Sequence, residues 1–220
     1  MHPFTDRREA GRALAERLGA YVRRTDVTVL ALPRGGVPVA YEVACALEAP
    51  LDVLLVEKVY APGRDGVQIG TIASGGFELR EVRGTVASDP SDAVAEREMA
   101  RVHQELAHRE RLYRGARPAP VLDGRTVILV YDGVVTGALM LAAVAAVRAR
   151  GAARVIVATP VAAPDAFAAI EGRADACISV MRPEPFYRIC VYYDDYAPVT
   201  DASVLFLLER AAMITASAAA

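Results

Sequence analysis

The residues of this chain best placed to do chemistry gather in two short glycine-bearing stretches. The first, VILVYDGVVTGALM at residues 127–140, is an apolar run that closes on Tyr131 and Asp132. It then passes Gly133, Thr136 and Gly137 before turning helical. A strand that ends in a tight turn and opens a helix aims backbone N–H groups and the positive end of a helix dipole at one point, which makes a phosphate cradle. Asp132 offers only acceptors, so beside a cradle it suits sugar hydroxyls or a phosphate-bound metal. The plainer alternative is a strand-to-helix bend in which Asp132 caps the helix. Spacing leaves both open. The pattern is neither G-x-G-x-x-G nor G-x-x-x-x-G-K-[ST], so neither a dinucleotide fingerprint nor a P-loop has support. The second stretch, LALPRGGVPVA at residues 30–40, carries Arg34, Gly35 and Gly36 behind another apolar run. Two glycines allow backbone to approach an anion closely, and a guanidinium can fork onto its oxygens, although an Arg-Gly-Gly turn serves equally well as plain structure.

The elements that must position these stretches follow from periodicity. Ala10, Leu14, Leu18 and Tyr21 stand at helical spacing over 6–24, with Asp6 available as N-cap. VTVLAL (27–32) reads as a strand, and the chain from PRGG to Leu47 as a helix. LDVLLVEK (51–58) is an apolar run ending in charge, and 69–82 alternates and carries glycines like a hairpin or irregular strand pair. Ser88, Asp89 and Pro90 form a helix start. The helix they open runs to Tyr113 with a thin apolar stripe of Val94, Val102, Leu106 and Leu112, and Gly115, Pro118 and Pro120 close it. Such a helix suits a surface or a homodimer contact. The second half alternates strands at 126–132, 153–162, 176–181 and 187–195 with helices at 138–150 and 165–171, and the trailing ITASAAA reads as frayed. Apolar strands alternating with helices predict an α/β fold with a parallel sheet covered on both faces.

Bulk properties narrow the class. A chain of 220 residues with 54% apolar and 24% charged residues can bury one good core plus a small appendage. A net charge of −2 gives no electrostatic case for nucleic acid or an anionic membrane as partner. Residues 127–147 are nearly long enough to span a bilayer, but Asp132 and the two glycines interrupt them and no basic flanks orient them. Cys45, Cys177 and Cys190 are scattered and odd in number, as expected of buried reduced thiols, and MHPFTDRREAGR lacks the apolar segment of a signal peptide. A cytoplasmic location is the expectation. His2, His103 and His108 lie at the terminus and on the charged helix, away from both glycine stretches.

VILVYDGVVTGALM resembles the phosphoribosyl-diphosphate (PRPP) motif of the type I phosphoribosyltransferases, in which a strand leads to two acids and a Thr-Gly loop. LALPRGGVPVA is similar to that family's diphosphate loop, and the two occur in the family's order. LDVLLVEKVYAPGRDGVQIGTIASGG and FYRICVYYDDYAPVTD extend the likeness, to a little-characterised bacterial branch, over roughly residues 4–210. The resemblance implies a Rossmann-like parallel sheet of about five strands flanked by helices, with a small hood or flap. It implies one domain over 1–220, in which 59–120 is an insertion of loop, hairpin and long helix. It further implies a Mg2+-dependent transfer of 5-phosphoribosyl from PRPP to an unknown nitrogenous small-molecule acceptor, with release of diphosphate. Carried over by position, Asp132, Lys58 and Arg34 would be catalytic. PRPP would meet Arg34, Gly35, Gly36, Tyr131, Asp132, Gly133, Val134, Val135, Thr136, Gly137, Ala138 and Leu139. Residues 59–75 would close over the reacting centre, and a non-proline cis bond would join Pro33 to Arg34. Phe186 and Asp194 would bind the acceptor, and Asp132 and Asp194 would hold the metal. Read without the resemblance, VYY is edge-strand packing and Asp194–Asp195 a solvated turn.

The motif also departs from the family. Tyr131 stands for the first ribose-binding acid, Leu139 for the second loop threonine, and Glu57 for a basic residue beside Lys58. A neutral phenol in place of a carboxylate forgoes a charge-assisted hydrogen bond of about 1.5–3 kcal/mol. Val135 stands where purine-specific members carry an acid that helps deprotonate the base. It implies an acceptor that is already nucleophilic, or a proton acceptor elsewhere such as Asp194. These departures support an alternative function, a non-catalytic phosphosugar- or nucleotide-binding protein on the same fold. Hydrolysis or phosphorolysis on this scaffold is a weaker third reading.

Overall fold

The computed structural model describes residues 3–63, 66–80 and 92–218, the side chains of 92 and 215–218 excepted. The predicted helix start at Ser88–Pro90 and the end of the 69–82 segment lie outside the described residues.

Asp6 sits in extended conformation, and its carboxylate accepts the N–H groups of Arg8 and Glu9, which starts helix α1 (Arg7–Glu16). A 3₁₀ turn at Gly19–Tyr21 ends what the sequence suggested as one longer helix. Strand β1 (Val27–Ala31) and helix α2 (Gly36–Leu47) follow as expected. The apolar run 51–58 is not one strand. It divides into β2 (Leu51–Val53) in the main sheet and β3 (Val56–Tyr60), which pairs antiparallel with β4 (Gln68–Ala73) in a second sheet. β5 (Phe77–Arg80) completes that three-stranded sheet in the order β3-β4-β5. Hydrophobicity alone cannot mark such a break, because both halves are buried.

The long helix α3 (Asp92–Arg114) carries the expected Val102 and Leu106 inward, together with Ala95, Met99 and Tyr113, while Leu112 is exposed. Its stripe lies against β3, β4 and the C-terminal helix rather than facing outward. Arg114 anchors its end. The guanidinium donates to Asp52 Oδ2 at 2.9 Å, to Glu110 at 2.5 Å and to the Val53 carbonyl at 3.3 Å, and Gly115 (φ +57°) ends the helix.

Strand β6 (Thr126–Val130), helix α4 (Ala138–Ala149), strand β7 (Arg154–Val161), helix α5 (Pro164–Glu171) and strand β8 (Ala176–Met181) follow the sequence reading. The main sheet has five parallel strands in the order β2-β1-β6-β7-β8. Alternate residues explain its two covered faces. Val27, Val29, Ile128 and Ile156 enter a core with α1, α2 and the C-terminal helix, while Leu30, Val127, Leu129 and Val155 enter one with α4 and α5. Residues 187–195 are not a strand. They form a 3₁₀ turn at Ile189–Tyr192, and Tyr193 makes only an isolated bridge to Phe4. The chain continues into α6 (Asp201–Ala218), which takes in most of the segment expected to fray. The three cysteines are free and half-buried rather than fully buried.

Arg114→Met removes the partner of a buried carboxylate, and Asp52 is held by both strand and core. We expect a loss of about 3–5 kcal/mol in urea unfolding, with faster amide exchange along α3.

Candidate active site

β1 and β6 are neighbours and parallel, so the loops leaving their carboxyl ends share one rim of the sheet. In an open α/β sheet that rim is where ligands gather. The two glycine stretches meet there, closely enough that side chains are excluded. A Cβ on Gly36 would lie 2.8 Å from the Val130 carbonyl, and one on Gly35 would lie 2.1 Å from Asp132 Oδ2. These glycines therefore admit the neighbouring loop, where the sequence reading had them admit an anion. The Pro33–Arg34 bond is cis, as the resemblance implied.

The loop after β6 is held from below and from the side. Val134 is buried and bridges Ala162 next to β7, and Ile189 packs where a Cβ on Gly133 would stand. Gly137 takes φ +75° at the start of α4, with no side-chain cap on the helix. The first-turn N–H groups of α4 thus have no side-chain acceptor, the condition for anion capture at a helix N-terminus. Above this loop lies a cavity of about 270 Å³ lined by Lys58, Tyr131, Gly133, Val134, Val135, Thr136, Gly137, Leu139, Met140 and Ile189. Lys58 reaches it from β3 and forms no ion pair with a described residue. Glu57, the negative neighbour that the sequence made problematic, is engaged by Arg109 of α3.

Asp132 does not face this cavity. It is 2% exposed, and its Oδ2 accepts both Arg7 Nε and the Tyr196 hydroxyl at 2.9 Å. The Arg7 guanidinium lies 3.9 Å from the centre of the Tyr196 ring and donates to the Ala197 carbonyl, while the Tyr193 hydroxyl donates to the Asp132 carbonyl. The resemblance had the Asp132 carboxylate meet ribose hydroxyls and a metal; here the residue is buried and its Oδ2 is engaged by Arg7 and Tyr196. Asp194 is exposed and lines neither this cavity nor the one described next, and its N–H donates to the Phe4 carbonyl. No cluster of three or more His, Cys, Asp or Glu able to hold a metal occurs among the described residues. Asp132 and Asp194, which the resemblance gave as metal-holding, belong to no such cluster. Arg34 also differs from expectation. Its side chain is 54% exposed and lies 3.7 Å from Asp201 at the start of α6, outside the lining of the cavity.

A second cavity of about 340 Å³ adjoins the first through Val135, which lines both. Phe186 lines it, as does Tyr187, with Ala163, Pro164, Asp165, Glu184 and Pro185 completing the wall. Sequence reasoning missed Ile189, Met140, Arg7 and Tyr196. Those of Arg7 and Tyr196 join segments more than 60 residues apart and leave no local pattern. Burial, then the charge of Asp132, raises the phenol pKa values of Tyr131, Tyr193 and Tyr196.

Comparison with known proteins now decides the class. The family model of the phosphoribosyl transferase domain matches residues 6–195. This chain belongs to the phosphoribosyl transferase family. It is 39% identical over 215 residues to provisionally assigned phosphoribosyl transferases from two Mycobacterium tuberculosis strains, CDC 1551 and H37Rv, covering 96% of this chain. It spans only 47% of the length of those relatives. The crystal structure of TT1426 from Thermus thermophilus is 41% identical and superposes with a TM-score of 0.80, over 96% of this chain and 99% of that one. The five-stranded parallel sheet with helices on both faces agrees with the arrangement that the resemblance implied. No helix among the described residues is long and apolar enough to cross a membrane.

Two outcomes follow from the Asp132 network. Arg7→Met leaves a buried carboxylate without its cation, and thermal or urea unfolding should show a loss of about 3–5 kcal/mol. The second concerns alkali. With folded-state pKa values raised above the ordinary 10.0, the three phenols stay protonated in the fold while the unfolded chain ionises. Stability is full below pH 10 and falls as pH rises above it. The melting temperature should drop steeply past pH 10, and Tyr193→Phe should flatten that drop while lowering the neutral-pH value.

Proposed function

We propose that this protein transfers the 5-phosphoribosyl group of PRPP to a nitrogen nucleophile. The observation that carries the reading is the 270 Å³ cavity in which Lys58, without an ion-pair partner among the described residues, lines the space together with the uncapped start of α4 and the Val135–Gly137 turn. A cation and free backbone donors around one concave space suit a phosphorylated sugar better than any neutral ligand. Family membership supports the same substrate type.

In the reaction, the acceptor nitrogen uses its lone pair to bond C1 of PRPP as the C1–O bond to diphosphate breaks. The bonding pair leaves with diphosphate, and the proton lost by the acceptor passes to solvent. The transition state carries positive charge on the ribose and growing negative charge on diphosphate. Lys58 answers the latter from a fixed strand, and Arg34 stands at the rim, able to swing from Asp201 toward the leaving group. With Asp132 engaged, ribose recognition falls to Tyr131, a neutral donor lining the cavity.

The buried Asp132 favours one second reading, a binding protein that holds a phosphosugar without turnover. Titration calorimetry with PRPP, with and without Mg2+, tests the first requirement. Binding should weaken at least about tenfold in Lys58→Met, the loss of one charge-assisted contact, and about fivefold in Tyr131→Phe. Absence of heat under both conditions, or an unchanged Lys58→Met, refutes the proposal. Binding without diphosphate release across a panel of amines and nitrogen heterocycles establishes the second reading instead.

A further inference from the structure

The second cavity carries a charge character that nothing in the motif specifies. Of its eight lining residues, the only charged ones are Asp165, in the first turn of α5, and Glu184, on the segment after β8. Neither forms an ion pair with a described residue. Arg182, two residues before Glu184, is engaged elsewhere. Its guanidinium lies 4.1 Å from the centre of the Phe167 ring and 3.4 Å from Glu171. The remaining wall is apolar and aromatic. Phe186 packs on Tyr192 with ring centres 5.3 Å apart, and Tyr187 is 75% exposed beside it. Val135, 44% exposed, forms the shared edge with the Lys58 cavity.

The two cavities therefore have opposite electrostatic sense across a single residue. On one side a lysine and free backbone donors face the space, on the other two carboxylates and aromatic edges. A flat cation or a ring rich in N–H donors is stabilised by both parts of the second wall, through charge and through contact with ring faces. An anionic ring meets two like charges, which the uncapped start of α5 at Pro164–Asp165, equivalent to about half a positive charge, offsets only in part.

We propose that the 340 Å³ cavity is the acceptor subsite and that Asp165 and Glu184 select a planar nitrogen compound that is cationic or carries amino groups, rejecting carboxylate-bearing acceptors. This deepens the transferase reading and rests on it for the word acceptor, though the charge preference itself does not. The carboxylates act on the part of the acceptor remote from the attacking nitrogen, which must keep its lone pair for C1. Selection arises from unpaired charge held at the mouth of the site, so it needs no rearrangement of the loop.

Benzamidine and benzoate, flat and nearly equal in shape but opposite in charge, test it by NMR titration at pH 7 and low salt. Benzamidine should shift the resonances of Phe186, Tyr187 and Val135, while benzoate should need at least about ten times the concentration for a comparable effect. The double variant Asp165→Asn/Glu184→Gln alters exposed side chains and should weaken benzamidine about tenfold, the combined effect of two exposed charge contacts, and abolish the preference. Circular dichroism confirms that the variant is folded. Equal binding of benzoate, no shift at those three residues, or a preference that survives in the variant overturns the proposal. A parallel PRPP titration separates the two readings. If the charge preference holds while PRPP does not bind, the transferase reading falls and the subsite's selectivity stands. If PRPP binds while benzoate binds as well as benzamidine, the selectivity falls alone.

Discussion

The site hangs on one buried ion pair. Asp132 and Arg7 meet at 2.9 Å with both side chains almost wholly out of solvent, and Tyr196 adds a second donor to the same carboxylate oxygen. Taking two charges out of water is costly and is offset only when the remaining hydrogen-bonding capacity is filled. Here Oδ2 and the guanidinium are engaged across three segments that are distant in sequence: the first turn of α1, the end of β6 and the chain before α6. The pair therefore works as a knot. It draws both ends of the chain onto the root of the phosphate-type loop, and the Arg34 turn is packed against the same carboxylate through Gly35. A loop tied in this way presents its N–H groups in a fixed direction, which an anion site built from backbone needs.

That tie explains why the motif departs where it does. An acid at the end of β6 normally reads as a ligand group, but a carboxylate with a guanidinium and a phenol already on it has little to offer a sugar. The tyrosine before it lines the cavity instead, together with Lys58 and Thr136. Glu57 makes the parallel case. Placed beside Lys58 it looked unfavourable to an anionic substrate, yet Arg109 crosses from α3 and neutralises it. In both places a carboxylate is answered by an arginine from a helix the motif does not contain.

How much of this was legible in the sequence follows from the range of the forces involved. The main-sheet strands, their helices and the order of the two glycine turns were readable, because hydrophobic period and turn chemistry are local. Thr136 and Gly137 could be assigned to a loop site for the same reason, whereas Lys58 and the acceptor-binding Phe186 came only from the family resemblance. The break of 51–58 into two sheets was not readable, since both halves bury apolar residues and only the partner strand tells them apart. The run at 187–195 failed as a strand because its tyrosines serve as hydrogen-bond donors and ring contacts, not as one face of a pleat. Arg7 offered no signal at all. An arginine in DRREAGR reads as surface, and only the fold shows that α1 carries it onto Asp132.

The same reasoning separates what the loop can recognise from what the neighbouring cavity can. Backbone donors and one lysine favour negative charge without regard to its shape, and Tyr131 and Thr136 add only neutral hydroxyls to the first cavity. Discrimination must then come from side chains beyond Val135, where charge changes sign over a single residue. A ligand lying across that boundary is held at both ends by opposite fields, and reversing it places a phosphate against two carboxylates. On the reading proposed above, orientation as well as affinity would then follow from the charge pattern at the rim of the sheet.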